Sequence, residues 1–182
     1  NIGTNWCKSI SPFGTGDKGT PGKTNDPCPS IATASISGCK YEDSDKNSNL
    51  TEENTLSGWF IELYKGSSTE PYRSQETDQT GCYQFGSLEE GTYTIKEAQN
   101  ADKQPFIQTY PTSSNAYNIT LISGENLTSK NFANYIPTCG NGILDTGFEN
   151  YSDEDCDDGN TSSGDGCSSS CTTEESGGGG NG

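Results

Sequence analysis

The chain has 182 residues, a formal net charge of −16 and a hydrophobic fraction of only 27%. So small an apolar fraction does not provide one large core, and so strong a negative charge excludes nucleic acids and anionic membrane surfaces as partners. No apolar run approaches the roughly 20 residues of a membrane helix, so membrane insertion is not predicted.

The number and spacing of the cysteines indicate where the protein is located. The chain has no histidine and its cysteines are mostly far apart, which argues against zinc, whereas an even set of eight could form four disulfides. Disulfides stabilise small cores and persist in oxidising surroundings, so we expect an extracellular protein, secreted or attached to a cell surface. The absence of methionine and of a hydrophobic leader before Asn1 predicts a processed chain or a fragment. The cysteines are Cys7, Cys28, Cys39, Cys82, Cys139, Cys156, Cys167 and Cys171.

Residues 1–35 have few apolar side chains among Gly, Pro, Ser and Thr. This composition predicts an extended N-terminal arm, closed by a Cys7–Cys28 disulfide. Such an arm is either a linker or a strand that pairs with the sheet edge of a neighbour, and the sequence does not decide between the two.

Residues 36–135 contain short β-strand patterns separated by turn residues, which is typical of a small β-sandwich. Trp59, Ile61 and Leu63 alternate with outward residues and therefore share a face. Further strands are predicted at 82–85, 91–97, 117–121 and 130–134.

Strand parity places three reactive side chains on inward faces of this sandwich: Lys40, Glu97 and Asn134. A buried lysine loses its preference for the charged state, and a protonated glutamate beside it could transfer protons while the amine attacks the asparagine. The expected product is a Lys40–Asn134 isopeptide bond, although a shift of register by one residue would turn Lys40 to solvent. The same parity turns Cys39 and Cys82 outward, where a disulfide between them could join two strands. This is our preferred pairing.

The middle segment resembles the SdrD B-like and Cna B-type modules of bacterial surface proteins. This resemblance implies a prealbumin-like β-sandwich that serves as a stalk or spacer in adhesins and pili. It also implies an isopeptide bond of the kind known in Cna B-type domains, whereas SdrD-like domains, which this chain resembles more, usually lack it. The matching residues are Ile36-Ser37-Gly38, Asp43 to Asn47, Leu56 to Tyr64, Thr77-Asp78, Gly81 to Phe85, Leu88 and Gly91 to Ile95.

Residues 136–172 are predicted to form a small disulfide-rich module, followed by a Gly-rich tail at 173–182. From Cys139 onward the chain has no Lys or Arg, so this part does not fold by burial alone. It resembles the myxococcus cysteine-rich repeat, which implies a secreted or surface protein, assigns no catalytic role and leaves the disulfide connectivity open. The matching residues are Cys139 to Asp145, Cys156 to Asn160, Ser163 to Cys167 and Cys171.

Two clusters of oxygen side chains are candidate Ca²⁺ sites, because calcium accepts six to eight oxygen ligands in irregular geometry. In the first, either Glu52 or Glu53 would supply the bidentate acid, and we prefer Glu53. The alternative for both clusters is a solvated acidic loop. The first cluster is Asp43, Asp45, Asn47, Asn49 and Glu53, and the second is Asp145, Asp157, Asp158, Asn160 and Asp165.

Asn-x-Ser/Thr triplets are about as frequent as this composition predicts by chance. Asn118, Asn126 and Asn150 are the candidate glycosylation positions among them.

The sequence therefore predicts a structural subunit of an extracellular fibre or surface stalk, stiffened by disulfides and calcium. Copies of the chain would be joined through the arm or the tail into a homopolymer. The alternative is a monomeric adhesin module that binds a glycan or a host protein. Without histidine or a nucleophile motif the chain is not expected to be an enzyme.

Overall fold

The structure is a computed structural model that describes residues 32–98, 106–147 and 151–174. The chain divides into two units, Asn1–Ala32 and Thr33–Gly182. Nearly all described residues belong to the second unit, whereas the predicted Cys7–Cys28 disulfide and most of the predicted arm lie outside the described ranges.

Nine β-strands and no helix are present in the described residues. The first strand begins at Ala34, two residues before the predicted boundary of the sandwich at residue 36. The strands are β1 (Ala34–Glu42), β2 (Phe60–Lys65), β3 (Arg73–Glu76), β4 (Cys82–Leu88), β5 (Gly91–Glu97), β6 (Ile107–Tyr110), β7 (Ala116–Leu121), β8 (Asn126–Leu127) and β9 (Phe132–Tyr135).

The described strands form two sheets that pack face to face. One has the order β4-β1-β9-β6, with β8 also beside β1, and the other has the order β3-β2-β5-β7. Strand β1 is antiparallel to β4 but parallel to β9, with Lys40 opposite Phe132 and Glu42 opposite Asn134. The predicted β-sandwich fold class is confirmed.

The core follows the alternation of the strands. In β1 every second residue from Ala34 to Lys40 is buried, and Ile61, Leu63 and Trp59 are buried together as their spacing predicted. Each large apolar side chain removed from water contributes about 1.5–3 kcal/mol. The largest fully buried apolar side chains are Ile36, Ile61, Leu63, Leu88, Tyr93, Ile95, Leu121, Phe132 and Tyr135.

Close packing at Gly38 fixes how the chain enters β9. A Cβ at this position would lie 2.1 Å from the carbonyl oxygen of Lys130. The Lys130 N–H donates to Ser37 O at 3.0 Å, and the Tyr83 hydroxyl donates to Lys130 O at 2.5 Å. The strand predicted at 130–134 therefore begins at Phe132, because Lys130 is held across β1.

Turns and two disulfides organise the cysteine-rich segment. Cys139 is bonded to Cys171 and Cys156 to Cys167, which supplies the connectivity that the sequence left open. This segment lies in the same unit as the sandwich. No helix in the described ranges is long and apolar enough to span a membrane.

Candidate crosslinking site

Three polar side chains from three strands meet inside the sandwich. Lys40 and Asn134 lie on the inward face of adjacent parallel strands, two positions apart in register, and Glu97 reaches them from β5 in the opposite sheet. Lys40 and Asn134 are fully buried, and only 3% of the Glu97 side chain is exposed. The structure thus brings together the three residues that parity assigned to inward faces.

The Glu97 carboxyl group lies between the two nitrogens. Its Oε2 is 3.0 Å from Lys40 Nζ, and its Oε1 accepts a hydrogen bond from Asn134 Nδ2 at 2.5 Å. One oxygen therefore contacts the amine and the other contacts the amide nitrogen. This is the placement that a group needs in order to carry a proton from one nitrogen to the other.

Aromatic rings close the site. Lys40 Nζ lies 4.6 Å from the centroid of the Trp59 ring, and Phe106 packs edge-on against Trp59 at a centroid distance of 5.0 Å. Trp59 itself is only 4% exposed. The rings exclude water from the amine and lower the local dielectric.

The polar atoms of this site are not well satisfied as hydrogen-bonding groups. Lys40 Nζ, Glu97 Oε2 and Asn134 Oδ1 are buried without a hydrogen-bond partner among the described residues, since the close amine–carboxyl contact does not have hydrogen-bond angles. A buried unsatisfied polar group costs about 1–3 kcal/mol. Lys40 Nζ and Glu97 Oε2 still contact each other at 3.0 Å, so this cost falls chiefly on Asn134 Oδ1, to which no described residue donates.

Burial shifts both titrations toward the neutral forms. It lowers the pKa of Lys40 to about 8, although the negative charge of Glu97 acts in the opposite direction. It raises the pKa of Glu97 above its ordinary value against the effect of Lys40. A neutral amine and a protonated acid are the states that attack on an amide requires.

A disulfide lies on the opposite face of β1, one residue away. The structure joins Cys39 to Cys82, the pair that parity turned outward, and these residues face each other across β1 and β4. Cys39 of β1 is therefore covalently joined to β4, while its neighbour Lys40 lies close to Asn134 of β9.

The loop after β1 gathers three carboxylates. One oxygen from each of Asp43, Asp45 and Glu53 lies within 4.8 Å of the others. Asp43 is fully buried and accepts the N–H groups of Asn47 and Ser48, each at 3.0 Å. Carboxylates at this separation fit the hard oxygen ligands of Ca²⁺.

The two asparagines of the first predicted cluster take part in the loop itself. Asn47 Nδ2 donates to Asp45 Oδ2 at 2.5 Å, and Asn49 Oδ1 accepts the N–H of Thr51 at 3.1 Å. Asn47 therefore presents its amide nitrogen, not its oxygen, to the carboxylates.

The second predicted cluster does not converge. Among the described residues no three of its carboxylates lie within 4.8 Å of one another. Asn160 Nδ2 bridges Asp158 and Asp165, with 3.1 Å to each. These side chains therefore make separate contacts in the described residues, and a calcium ion shared by this cluster stays a prediction.

Asp157 instead organises turns of the cysteine-rich segment. Its two oxygens accept four backbone N–H groups at 2.7–3.2 Å, from Gly140, Asn141, Gly142 and Gly159. Burial acts to raise the pKa of Asp157, but these four donors outweigh it and hold the pKa below its ordinary value.

Asp145, the remaining member, joins the cysteine-rich segment to the sandwich. Its Oδ2 accepts the Tyr135 hydroxyl at 2.5 Å, and its Oδ1 lies 3.8 Å from Lys46 Nζ. Burial and this hydrogen bond raise the pKa of Tyr135. Sequence reasoning missed this junction, because nothing local to Tyr135 or Lys46 indicates a partner in the next segment.

Two of the predicted glycosylation positions are exposed. Asn118 and Asn126 accept hydrogen bonds from Thr94 Oγ1 at 2.9 Å and from Ser35 Oγ at 2.6 Å. Asn150 lies outside the described residues.

Residues 122–172 match a family described as a domain of unknown function, DUF4215. No curated protein matches the chain. This match covers the last two strands and the cysteine-rich segment, less than a third of the chain.

Several solved structures are similar to this chain at low identity. The TIE protein of Bacillus anthracis is 16% identical with a TM-score of 0.42, covering 58% of this chain and 18% of that one. The minor pilin of Streptococcus agalactiae is 17% identical with a TM-score of 0.42, covering 59% and 47%. A streptococcal ancillary pilin is 15% identical with a TM-score of 0.43, covering 59% and 34%. The chain thus spans less than half of each of these proteins, and at these values the likeness carries no inference about function.

Proposed function

We propose that this protein is a structural subunit of an extracellular fibre or surface stalk, whose sandwich is locked by an isopeptide bond between Lys40 and Asn134. The observation that carries the proposal is the buried contact of Lys40, Glu97 and Asn134. A bond that forms once from the chain's own side chains suits a load-bearing component. It is not turnover, so the protein is not proposed to be an enzyme.

The reaction follows from the positions of the nitrogens. The neutral amine of Lys40 attacks Cγ of Asn134, and a bond forms between Nζ and Cγ. Glu97 gives its acid proton to Nδ2 through Oε1 and takes a proton from Nζ through Oε2. The bond from Cγ to Nδ2 breaks, ammonia leaves, and Glu97 ends protonated as it began.

The bond would connect the first and last strands of the sandwich. Strand β1 begins at Ala34 and β9 ends at Tyr135, so nearly the whole sandwich lies between the two linked positions. Unfolding from either end would have to stop at the crosslink. This is a property that a fibre or stalk under tension requires and a free binding module does not.

Intact mass tests the bond. The unreduced chain should be lighter than its sequence by about 17 Da for ammonia plus about 2 Da for each disulfide, and only the loss of ammonia should remain after reduction. Proteolysis should yield a branched peptide that joins β1 to β9, and Asn134→Ala should lack it. A reduced mass equal to that of the linear sequence would contradict the proposal.

Calcium is proposed at the carboxylates of Asp43, Asp45 and Glu53. These residues would hold the ion and so fix the loop that follows β1, since their mutual repulsion is relieved by a cation. Calorimetric titration with CaCl₂ should give saturable heat that Asp45→Asn abolishes and Glu70→Gln, an exposed acid elsewhere, leaves intact. No saturable heat with the parent chain would rule the site out.

Polymerisation of identical copies through the arm or the tail is also proposed, and most of both segments lies outside the described residues. Electron microscopy of native material should show fibres with a repeat of one small domain, shortened or frayed by a calcium chelator. Dispersed particles alone would favour the monomeric adhesin.

A further inference from the structure

A polar groove lies beside the Cys39–Cys82 disulfide, away from the crosslinking site. Its volume is about 640 Å³, and residues of β1, β3 and β4, of the turn before β4 and of the turn before β9 line it. The uncharged side chains with hydroxyl or amide groups in its lining include those of Ser37, Tyr41, Gln75, Gln84, Thr128 and Ser129.

The backbone around this groove is held in place by a disulfide and by hydrogen bonds. The disulfide ties its floor together, and the Cys39 N–H donates to Asn131 Oδ1 at 3.0 Å. Lys130 is held across Gly38 because its N–H donates to Ser37 O and its carbonyl oxygen accepts the Tyr83 hydroxyl. The groove is therefore formed before any ligand arrives, which reduces the entropy cost of binding.

Four of the hydrogen-bonding side chains that line the groove are available to a ligand. The side chains of Tyr41, Gln75, Gln84 and Ser129 make no hydrogen bond to any other residue in the described part of the chain. Amides both donate and accept, and hydroxyls do the same. A set of such groups lining one groove matches a ligand that carries many hydroxyls.

Charge narrows the class of ligand further. The groove has no Lys or Arg, and Oδ1 of its one carboxylate, Asp78, accepts from Thr80 N, Thr80 Oγ1 and Cys82 N. With a net charge of −16 the protein repels anions. The ring of Tyr41 supplies an apolar face for the C–H groups of a sugar ring.

We propose that this groove binds a short neutral oligosaccharide. The site uses no residue of the buried lysine site and no carboxylate of the calcium loop. Experiments on sugar binding therefore test this proposal separately from the structural role proposed above.

Amide chemical shifts of the full-length, isotope-labelled chain test this. Maltotriose, cellotriose, mannotriose and chitotriose would each be titrated to about 10 mM, a range that detects weak sugar binding. At least one should shift amides of the groove residues and no distant amides. Gln84→Ala and Gln75→Ala should each raise Kd about tenfold, as expected for a lost hydrogen-bonding partner.

Thr92→Ala, an exposed change on the other sheet, is the matched control and should leave Kd unchanged. Because the two glutamines make no internal hydrogen bonds, their variants should keep the parent's thermal midpoint. No groove shift with any of the four sugars would overturn the proposal, as would equal Kd values in parent and glutamine variants. Groove shifts caused by a Ser/Thr-rich pentapeptide and by none of the sugars would overturn it in favour of a peptide site.

Discussion

Replacing Glu97 by glutamine keeps the shape of the side chain but removes the proton that it exchanges with Lys40 and Asn134. Glu97→Gln should therefore fold without forming the isopeptide bond, and its reduced mass should equal that of the linear chain. Glu76→Gln, an exposed change on β3, should retain the loss of ammonia.

The loss of stability can be worked from the topology. Because Cys39–Cys82 already ties β1 to β4, the shortest path along the chain between the linked positions runs from Cys82 to Asn134, about 50 residues. Closing a loop of that length lowers the entropy of the unfolded chain by the equivalent of about 4 kcal/mol. For a unit of this size that corresponds to about 12 °C in Tm.

Glu97→Gln also leaves the Lys40 amine buried without its acid, which lowers the stability of the folded chain further. The double variant Lys40→Met/Glu97→Gln removes that amine, so the decrease in its Tm should report the contribution of the crosslink alone. Scanning calorimetry gives Tm, and intact mass shows whether the bond is present in each sample. The reasoning is refuted if Glu97→Gln still loses ammonia, or if the unlinked double variant melts within about 2 °C of the parent.

Three further outcomes are expected. The rate of crosslinking after refolding, followed by mass, should have a bell-shaped pH dependence. Below the raised pKa of Glu97 the Lys40 amine is an ammonium ion, and above about pH 8 the Lys40–Glu97 pair has lost its last proton. A rate that keeps rising above pH 8 would contradict this. Gly38→Ala should lower the free energy of unfolding by about 2 kcal/mol in urea because its methyl group meets Lys130 O, whereas Gly86→Ala, with nothing within 4 Å, should be nearly neutral. Asp157→Asn should speed hydrogen exchange in the cysteine-rich segment at neutral pH. Since the folded pKa of Asp157 is depressed, its stabilising effect is present above the unfolded value and is lost as pH falls through the folded one, so parent and variant should converge in acid.

Much of the sandwich is predictable because strand alternation is a local property. The spacing of Ile36, Gly38 and Lys40 shows which face they share without knowledge of their partners. The same parity in β5 and β9 placed Glu97 and Asn134 inward, which made the buried trio predictable as a set. The start of β9 was not predictable, since it depends on the contact between Lys130 and a glycine about 90 residues earlier.

The cysteine-rich segment was less predictable for a physical reason. Crowded carboxylates indicate a cation when nothing else can satisfy them, but Asp157 is satisfied by backbone N–H groups from separate turns. Only the folded chain brings those turns together. The contact of Asp145 with Tyr135 has the same character, because it joins two segments whose local patterns are independent.

The parallel pairing of β1 with β9 has a mechanical consequence. Chain entering β1 and chain leaving β9 depart from opposite ends of the same pair, so a pull on the two ends shears the ladder and loads its hydrogen bonds together rather than one at a time. With the proposed isopeptide bond in place, the force would pass from β1 through the bond directly into β9. The roughly 90 residues between them, about 300 Å of chain if extended, would carry no load. The subunit would then be nearly inextensible, and any stretch in an assembled fibre would come from the segments outside the sandwich.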